Sequence, residues 1–464
     1  MKRVEQAAAV ETPHAAPGAA EQPWPPPAKA WYAVGVFAIG LTFLFLDRGV
    51  IALLVQPIKQ DLHLSDTMVG LLMGPAFIIF YLFLGLPIAR LVDSRSRKAI
   101  IAFSIGAWSL MSAASGLTRN LWVMFACRVG VGVGEAGNGP ATYSMMADMF
   151  PPQRLARAIS VMQFGFVAGN GLATILTGLI ISMIAGTHSY HVPLVGEVHG
   201  WQLTFFLVGL PGLIVAVLAT TMMEPPRRGR MRIEPAAAAQ SRRAIPVREV
   251  LRYMRQNWGA YASMFLGLAF ESVVTFGIMN WGPTFFVRTY GWTIPHYAYL
   301  SGVLFLVLWP IGLIPGSMLS EWLGKRGFKS AYLLVTTLSV TAFVPLAILM
   351  PLMPNGTWAM VVMGASYLVA GFAPGPQNAA LQIITPNEMR GQVTALFLFI
   401  FNVFGSGLAP LIIGLVTNYV VHSEAKVGES IMLTAATLGP IAVALMWAGL
   451  KPYARSVARI EQWS

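Results

Sequence analysis

Long runs of apolar residues follow one another along almost the whole chain, and they constrain its fold more than any other feature. Of the 464 residues, 56% are hydrophobic and only 11% are charged. A water-soluble domain must keep its outside polar, so most helices of such a chain are expected to face lipid. The length suits twelve helices of about 20 residues with short loops. The sequence therefore predicts an all-α membrane protein with twelve transmembrane helices.

Each predicted span is an apolar run long enough to cross the hydrocarbon core of a bilayer. The twelve runs cover about residues 31–56, 67–89, 99–118, 121–146, 155–186, 201–223, 259–287, 296–320, 329–349, 357–380, 388–420 and 431–450. We divide the chain into a disordered N-terminal arm, a six-helix bundle, a basic cytoplasmic linker, a second six-helix bundle and a cytoplasmic tail. These parts are predicted at 1–30, 31–223, 224–258, 259–450 and 451–464.

Positive charge is distributed unevenly among the predicted loops. With the N-terminus placed inside, the inside segments hold 25 Lys and Arg residues, the outside loops hold 4, and Arg48 and Arg128 lie within helices. Cytoplasmic loops of membrane proteins carry such an excess, so both termini are predicted to be cytoplasmic. The same rule accounts for the net charge of +12 and removes the need for a nucleic-acid partner.

Several other classes of protein are excluded. The N-terminal Met-Lys-Arg is followed by an Ala/Pro/Glu-rich stretch, so we expect no cleavable signal peptide. The one cysteine, Cys127, permits neither a disulfide framework nor a thiolate metal cluster. His188, His191 and His199 share one outer loop, but their spacing matches no familiar metal motif. No arrangement typical of an enzyme active site appears, so we predict that the protein is not an enzyme.

The two halves of the chain share a pattern of charges and prolines. Asp93 follows helix 2 and Glu321 follows helix 8, and the two acids lie 228 residues apart. Pro151 precedes helix 5 and Pro386 precedes helix 11, and this pair lies 235 residues apart. Two similar offsets within one chain indicate an internal duplication of six helices, as in many transporters.

These motifs carry a family resemblance. The stretch from Ala89 to Lys98 resembles the helix 2–3 signature of the major facilitator superfamily, and Glu321 to Arg326 resembles its second copy. Ala89 and Ser96 stand where glycines are usual, which keeps the charges of the signature but weakens the argument for its tight turn.

A narrower resemblance rests on helices 1, 3 and 4. Leu46-Asp47-Arg48, Trp108-Ser109-Leu110 and the segment Arg128-Val-Gly-Val-Gly-Val-Gly-Glu-Ala resemble the Spinster family of lysolipid and sphingolipid transporters. The chain is similar to a bacterial member of that family, and the match is best from helix 1 to helix 5.

The resemblance implies a function and a place in the cell. It implies two bundles around a central cavity, in a bacterial inner membrane, that open alternately to each side. The substrate would be a lysophospholipid or a sphingosine-1-phosphate-like lipid, and the proton would be the coupling ion, with no cofactor. A small organic or sugar acid is the alternative, because Arg48 and Arg128 suit either anion. A non-transporting sensor or scaffold is a second alternative. We expect a monomer.

Five charged residues lie within the predicted spans, where each needs a partner or a water-filled cavity. They are Asp47, Arg48, Arg128, Glu135 and Glu271. Arg128 and Glu135 are seven residues apart and share one face of helix 4. We predict that Asp47 and Glu135 bind the coupling proton, and that Arg48, Arg128 and Glu271 bind substrate or switch charge. A static ion-pair network that only orients helices is the alternative, and Glu271 could instead cap a polar gap in helix 7.

Charges at the cytoplasmic ends of the helices suggest a gate. The resemblance implies that Asp93 pairs with the opposing half when the carrier opens outward, whereas ordinary flanking charge is the alternative. The predicted gate residues are Asp93, Arg97, Lys98, Glu321, Lys325 and Arg326.

Small residues, prolines and aromatic residues mark further positions. Closely spaced glycines in helix 4, at 130, 132, 134, 137 and 139, predict close helix packing. Pro374 and Pro376 predict a bend in helix 10. Phe397, Phe401 and Phe404 share a face of helix 11 and predict either an acyl-chain path or lipid-facing packing.

Overall fold

The computed structural model describes residues 23–184, 190–192, 196–227, 246–386 and 389–461. These residues are almost entirely helical. The strands among them are β1 (Tyr190–Val192) and β2 (Gly196–Val198), which pair antiparallel with Tyr190 opposite Val198. The side chain of Asp93 and the whole of His188 lie outside what is described.

Helices α1 to α10 form the first half of the chain, and α11 to α19 form the second half. The first set is α1 (Pro27–Leu53), α2 (Val55–Leu62), α3 (Asp66–Met73), α4 (Pro75–Ser94), α5 (Arg97–Ser115), α6 (Leu121–Glu135), α7 (Asn138–Met149), α8 (Pro152–Ile184), α9 (Gly200–Gly209) and α10 (Pro211–Thr221). The second set is α11 (Val247–Gln256), α12 (Trp258–Tyr290), α13 (Ile294–Lys325), α14 (Ala331–Leu349), α15 (Gly356–Gly371), α16 (Pro374–Ile383), α17 (Arg390–Asn402), α18 (Ala409–Val416) and α19 (Val427–Glu461). Short 3₁₀ turns cover Met350–Leu352 and Glu424–Lys426, and π-helical segments cover Val403–Leu408 and Thr417–Val421.

Eleven stretches among the described residues are long and apolar enough to cross a membrane. The prediction of one continuous helix over 121–146 is wrong, because α6 and α7 are separated by Ala136 and Gly137. Pro140 explains the interruption, since it cannot donate a hydrogen bond to the carbonyl of Ala136 and its ring clashes with that carbonyl. Both linking residues keep right-handed helical dihedral angles, so the chain continues in nearly the same direction.

Helices extend beyond three other predicted boundaries. The predicted linker contains α11, because Val250 and Met254 are buried in the core of the second half. The predicted tail is helical to Glu461, because Tyr453 and Val457 are buried in the same core. Helix α1 begins four residues before the predicted start of its span, at Pro27, whose fixed φ suits the first turn of a helix. The predicted bend in helix 10 is confirmed by the break between α15 and α16.

The two halves pack closely at the end of the bundle opposite the N- and C-terminal helix ends. The carbonyl oxygens of Pro410 and Gly407 lie so close to Gly70 and Gly74 that a Cβ atom has no room at either glycine. Thr67 at the start of α3 also donates to the side chain of Asn418, with a 2.9 Å bond from its backbone nitrogen. Helices α8 and α13 make a second close contact between the halves at Gly171 and Gly302.

Candidate functional site

Arg48 on α1 and Glu135 at the end of α6 form the first ion pair of a buried cluster. Nε and Nη2 of Arg48 donate to Oε2 of Glu135 at 2.9 and 2.5 Å. The side chain of Glu135 is fully buried, whereas that of Arg48 is 24% exposed. Two donors on one carboxylate oxygen make a strong charge-assisted contact between α1 and α6.

Asp47 on α1 and Arg128 on α6 form the second ion pair. Nη1 of Arg128 lies 3.7 Å from Oδ2 of Asp47, and both side chains are 4% exposed. Ser112 on α5 donates to Oδ1 of Asp47, and Arg128 donates to Ser115 Oγ at 3.0 Å. The two serines were missed by sequence reasoning, although their polar side chains in an apolar helix were a signal. The structure therefore brings together four of the five predicted intramembrane charges.

Aromatic rings surround the guanidinium of Arg48. Its Cζ atom lies 4.4 Å from the centre of the Phe77 ring and 5.5 Å from the centres of Phe45 and Tyr81. Such rings attract a cation through their faces and stabilise it away from bulk water. Arg48 is also the most exposed of the four charged side chains, so it is the one that a ligand can reach most readily.

Each carboxylate in the cluster has one buried oxygen that accepts no hydrogen bond from the described residues. These atoms are Oδ2 of Asp47 and Oε1 of Glu135. Oδ2 of Asp47 has only the 3.7 Å ion pair with Arg128, and Oε1 of Glu135 has no hydrogen bond from the described residues, so neither anion is fully stabilised by its surroundings. A proton bound at either atom removes that anionic charge.

Glycines allow α6 to approach its neighbours closely enough for these contacts. A Cβ atom at Gly134 would meet the backbone of Trp108 on α5, and one at Gly132 would meet the carbonyl of Phe77 on α4. The predicted close packing is confirmed at these two positions. It is wrong at Gly139, where a Cβ atom would meet nothing within 4 Å.

Glu271 lies apart from these pairs, half-buried on α12. Its Oε1 accepts a hydrogen bond from Thr275 Oγ1, one turn further along the same helix, at 2.5 Å. No described cationic side chain forms an ion pair with it. The structure therefore does not bring Glu271 into the cluster, and its role in substrate or proton binding stays a prediction.

Arg97, a predicted gate residue, is fully buried within its own half of the protein. It donates to Asp148 on α7 and, at 2.8 Å, to the carbonyl of Pro225 after α10. Glu224 accepts from the backbone of Arg97 at 2.8 Å and from Ser96. Partial burial opposes ionisation of Glu224, but these bonds and the charge of Arg97 outweigh it and hold its pKa below the ordinary value. Arg97 thus ties α5, α7 and the segment after α10 together.

The remaining predicted gate residues lie near the helix ends. Lys98 is half-buried, whereas Glu321, Lys325 and Arg326 are exposed. The guanidinium of Arg326 lies 3.7 Å from the centre of the Trp322 ring. The side chain of Asp93 is not described, so the gate stays a prediction.

An ion-pair network missed by the sequence analysis joins the halves at their closed end. Asp66, at the start of α3, is fully buried and accepts from both terminal nitrogens of Arg288 on α12 at 2.6 and 2.8 Å. Lys59 on α2 pairs with Asp66 at 2.6 Å and with Glu424 of the second half. Lys59 and Arg288 were visible in the sequence as two of the few charges in the outer loops. We call Lys59, Asp66, Arg288 and Glu424 the outer network.

The phenylalanines of α17 and of the π-helical segment that follows it pack against α12. The ring centres of Phe397 and Phe265 are 5.4 Å apart, those of Phe401 and Phe276 are 6.1 Å apart, and Phe404 contacts Phe270. Phe397 is buried, so lipid-facing packing is wrong for this residue.

Two of the three outer-loop histidines lie among the described residues. His191 lies in β1, and His199 Nδ1 lies 3.2 Å from a carboxylate oxygen of Asp61. No group of three metal-ligating side chains is found within the described part of the chain.

Comparisons with known proteins agree with this architecture. A family model described as the Major Facilitator Superfamily matches residues 37–410. An MFS-type efflux pump of Mycolicibacterium smegmatis is 25% identical over 433 residues, which cover 93% of this chain and 95% of the relative. Protein spinster homolog 1 of Xenopus tropicalis is 25% identical over 401 residues, which cover 82% of this chain and 72% of the relative.

A solved structure has the same fold. It is a bacterial homolog of the human lysosomal transporter Spinster in an inward-facing, unoccupied conformation. Its TM-score is 0.72 at 24% sequence identity, and the match covers 94% of this chain and 98% of that one.

Proposed function

This chain belongs to the Major Facilitator Superfamily, and on that premise we propose that it is a proton-coupled transporter of an amphiphilic lipid with an anionic headgroup. A lysophospholipid or a sphingosine-1-phosphate-like lipid is the substrate class that we propose. The protein is a multi-pass membrane transporter rather than an enzyme, and we place it in a bacterial inner membrane. The choice of substrate rests on the resemblance of helices 1, 3 and 4 to the Spinster family of lysolipid and sphingolipid transporters, and the relatives named spinster are in keeping with that resemblance.

The contact between Arg48 and Glu135 is the observation that carries the proposal. Arg48 is held against aromatic rings and is partly exposed, whereas Glu135 is fully buried. An anionic headgroup that reaches Arg48 competes with Glu135 for the guanidinium. A released, buried carboxylate is costly as an anion, so Glu135 takes up a proton when the headgroup binds.

The second ion pair, between Arg128 and Asp47, is the more deeply buried part of the cluster. Arg128 and Asp47 are both almost fully buried and are held by serines of α5. Asp47 directly precedes Arg48 on α1, so a movement of Arg48 also moves Asp47 relative to Arg128. Proton binding at Asp47 would then follow the same rearrangement. Substrate and proton thereby act on one electrostatic site, which couples their movements.

Transport by the full chain in reconstituted vesicles tests the proposal. An inwardly or outwardly directed pH gradient should drive movement of a short-chain lysophospholipid across the vesicle membrane. Asp47→Asn and Glu135→Gln mimic the protonated acids and should abolish this stimulation while leaving binding intact. Arg48→Ala should lose binding as well. Asp61→Asn is the matched control, because Asp61 is bonded only to Trp201 and His199 among the described residues.

The outcomes separate the alternatives. Normal gradient-driven transport by Asp47→Asn would remove Asp47 from the mechanism. Gradient-driven uptake of a hexuronate, with no response to lysophospholipid, would replace the lipid substrate by a sugar acid. Absence of movement for both classes, with binding retained, would favour a sensor or scaffold.

A further inference from the structure

Helix α11 lies between the halves of the chain and is anchored to the second half along one face. Val250, Met254 and Asn257 recur at helical spacing and are buried. Tyr253 donates to the carbonyl of Ile384 at 2.9 Å. Because α12 begins at Trp258 and is long enough to cross a membrane, this anchored helix lies where the chain enters the bilayer.

A second face of α11 is apolar and exposed. Val247 is 64% exposed, Leu251 is 52% exposed and Trp258, at the start of α12, is 65% exposed. Val247 and Leu251 lie four residues apart and share one face of α11, next to the buried stripe, and Trp258 follows directly after the helix break at Asn257. An exposed stripe of large apolar side chains is unfavourable in water, so this face requires an apolar environment.

A third face of α11 is basic. Arg248, Arg252 and Arg255 recur at helical spacing and are exposed. None of their guanidinium groups has an ion-pair or hydrogen-bond partner among the described residues. At about 100° per residue, the basic stripe follows directly after the apolar one around the helix. Glu249 is the one acid of α11 and lies further round the helix.

We propose that α11 is an interfacial helix that binds anionic phospholipids of the leaflet on the side of the N- and C-termini. The order of its faces, from protein to apolar to basic to polar, matches the order of environments at a membrane surface. The apolar stripe enters the acyl-chain region, and the arginines bind phosphate groups of the lipids. Arginine suits this role because its planar donors match phosphate oxygens. The inference does not depend on which substrate the protein carries.

Site-directed labelling of the full chain in vesicles tests the position of α11. Single cysteines are introduced at residues 251 and 256 in a Cys127→Ser background, and each is labelled with a nitroxide. Leu251 lies in the apolar stripe, and Gln256 is exposed on the far side of the basic stripe. The label at 251 should be accessible to oxygen dissolved in the bilayer, and the label at 256 to an aqueous nickel complex. Equal exposure of both labels to the nickel complex overturns the proposal.

Lipid selectivity tests the role of the arginines. A fluorophore at residue 251 should be quenched by spin-labelled phosphatidylglycerol at a lower concentration than by spin-labelled phosphatidylcholine. The two concentrations should differ by a factor of about five or more, because each arginine near an anionic surface strengthens binding by about that factor. The variant with Arg248→Gln, Arg252→Gln and Arg255→Gln should lose this preference.

A matched variant removes the same charge elsewhere at this end of the bundle. Arg154→Gln, Lys451→Gln and Arg455→Gln change three exposed residues outside α11, and this variant should keep the preference. A preference that is absent from the unmodified chain, or that survives loss of the three α11 arginines, contradicts the proposal. The depth measurement leaves the three arginines of α11 in place, so it decides the position of the helix even when the triple variant does not fold.

Discussion

At the scale of single residues, Arg48 and Arg128 carry the same charge in different surroundings. Arg128 is almost fully buried against Asp47 and the ring of Phe205, whereas a quarter of Arg48 is exposed. Sequence reasoning identified both as intramembrane charges in need of partners. It could not separate their roles, because exposure depends on which neighbouring helices cover each side chain.

The difference predicts separate effects of two substitutions. Arg128→Gln leaves Asp47 buried without a counter-charge and should destabilise the protein by about 3 kcal/mol. Arg48→Gln should cost less stability, because Arg48 is itself partly exposed and the buried Glu135 takes up a proton, but it should abolish substrate binding. Thermal unfolding of the purified proteins and equilibrium binding measure the two effects. The double variant Asp47→Asn/Arg128→Gln should recover part of the lost stability, and equal destabilisation by both single variants would make Arg48 structural as well.

At the scale of helices, local breaks and close contacts position the cluster. The interruption at Ala136–Gly137 directly follows Glu135, so the carboxylate lies at the end of α6. The sequence contained the signal, Pro140, but the apolar run suggested a continuous span. Contacts between the halves were harder to predict, since Asp66 and Arg288 are 222 residues apart and no local pattern specifies their pairing.

The outer network predicts a shift in conformation when it is broken. Arg288→Gln removes the counter-charge that the second half gives to the buried Asp66, so the closed end should open more often. A change of about 1–3 kcal/mol in this equilibrium is expected for such a coupling. Spin labels at the exposed residues 63 and 422 should show a larger population of long distances.

A matched substitution controls for loss of charge at the same end of the protein. Asp61→Asn removes an acid that is bonded within the first half, to Trp201 at 3.0 Å, so it should leave the distance distribution unchanged. An unchanged distribution in Arg288→Gln as well would mean that the pair of Asp66 and Arg288 does not hold the halves together.

At the scale of the whole molecule, composition and loop charge were sufficient to predict the helical membrane fold and its two halves. The order of apolar runs fixes which segments cross the membrane, and each run is nearly independent of the others. The site needed more information. Four of the five intramembrane charges meet, but Glu271 lies apart on α12 in the second half, where it bonds to Thr275. The amphipathic α11 was hidden in the basic linker, whose charge masked its apolar stripes.

The orientation of the whole bundle remains a prediction from loop charge, and it can be tested directly. Cysteines at residues 63 or 422, in a Cys127→Ser background, should react with a membrane-impermeant maleimide in intact cells. Cysteines at residues 95 or 326 should react only after the cells are permeabilised. The opposite pattern would reverse the orientation and place the outer network in the cytoplasm.

Heat of binding measured in two buffers tests most directly whether substrate and proton share one site. A buffer that donates protons adds its own ionisation enthalpy to the heat, so two buffers of different ionisation enthalpy reveal proton uptake. Binding of a short-chain lysophospholipid to the unmodified protein should take up about one proton, because the headgroup displaces Glu135 from Arg48. Glu135→Gln should bind with equal heats in both buffers. Equal heats for the unmodified protein would contradict the account, since binding would then proceed without protonation of the cluster.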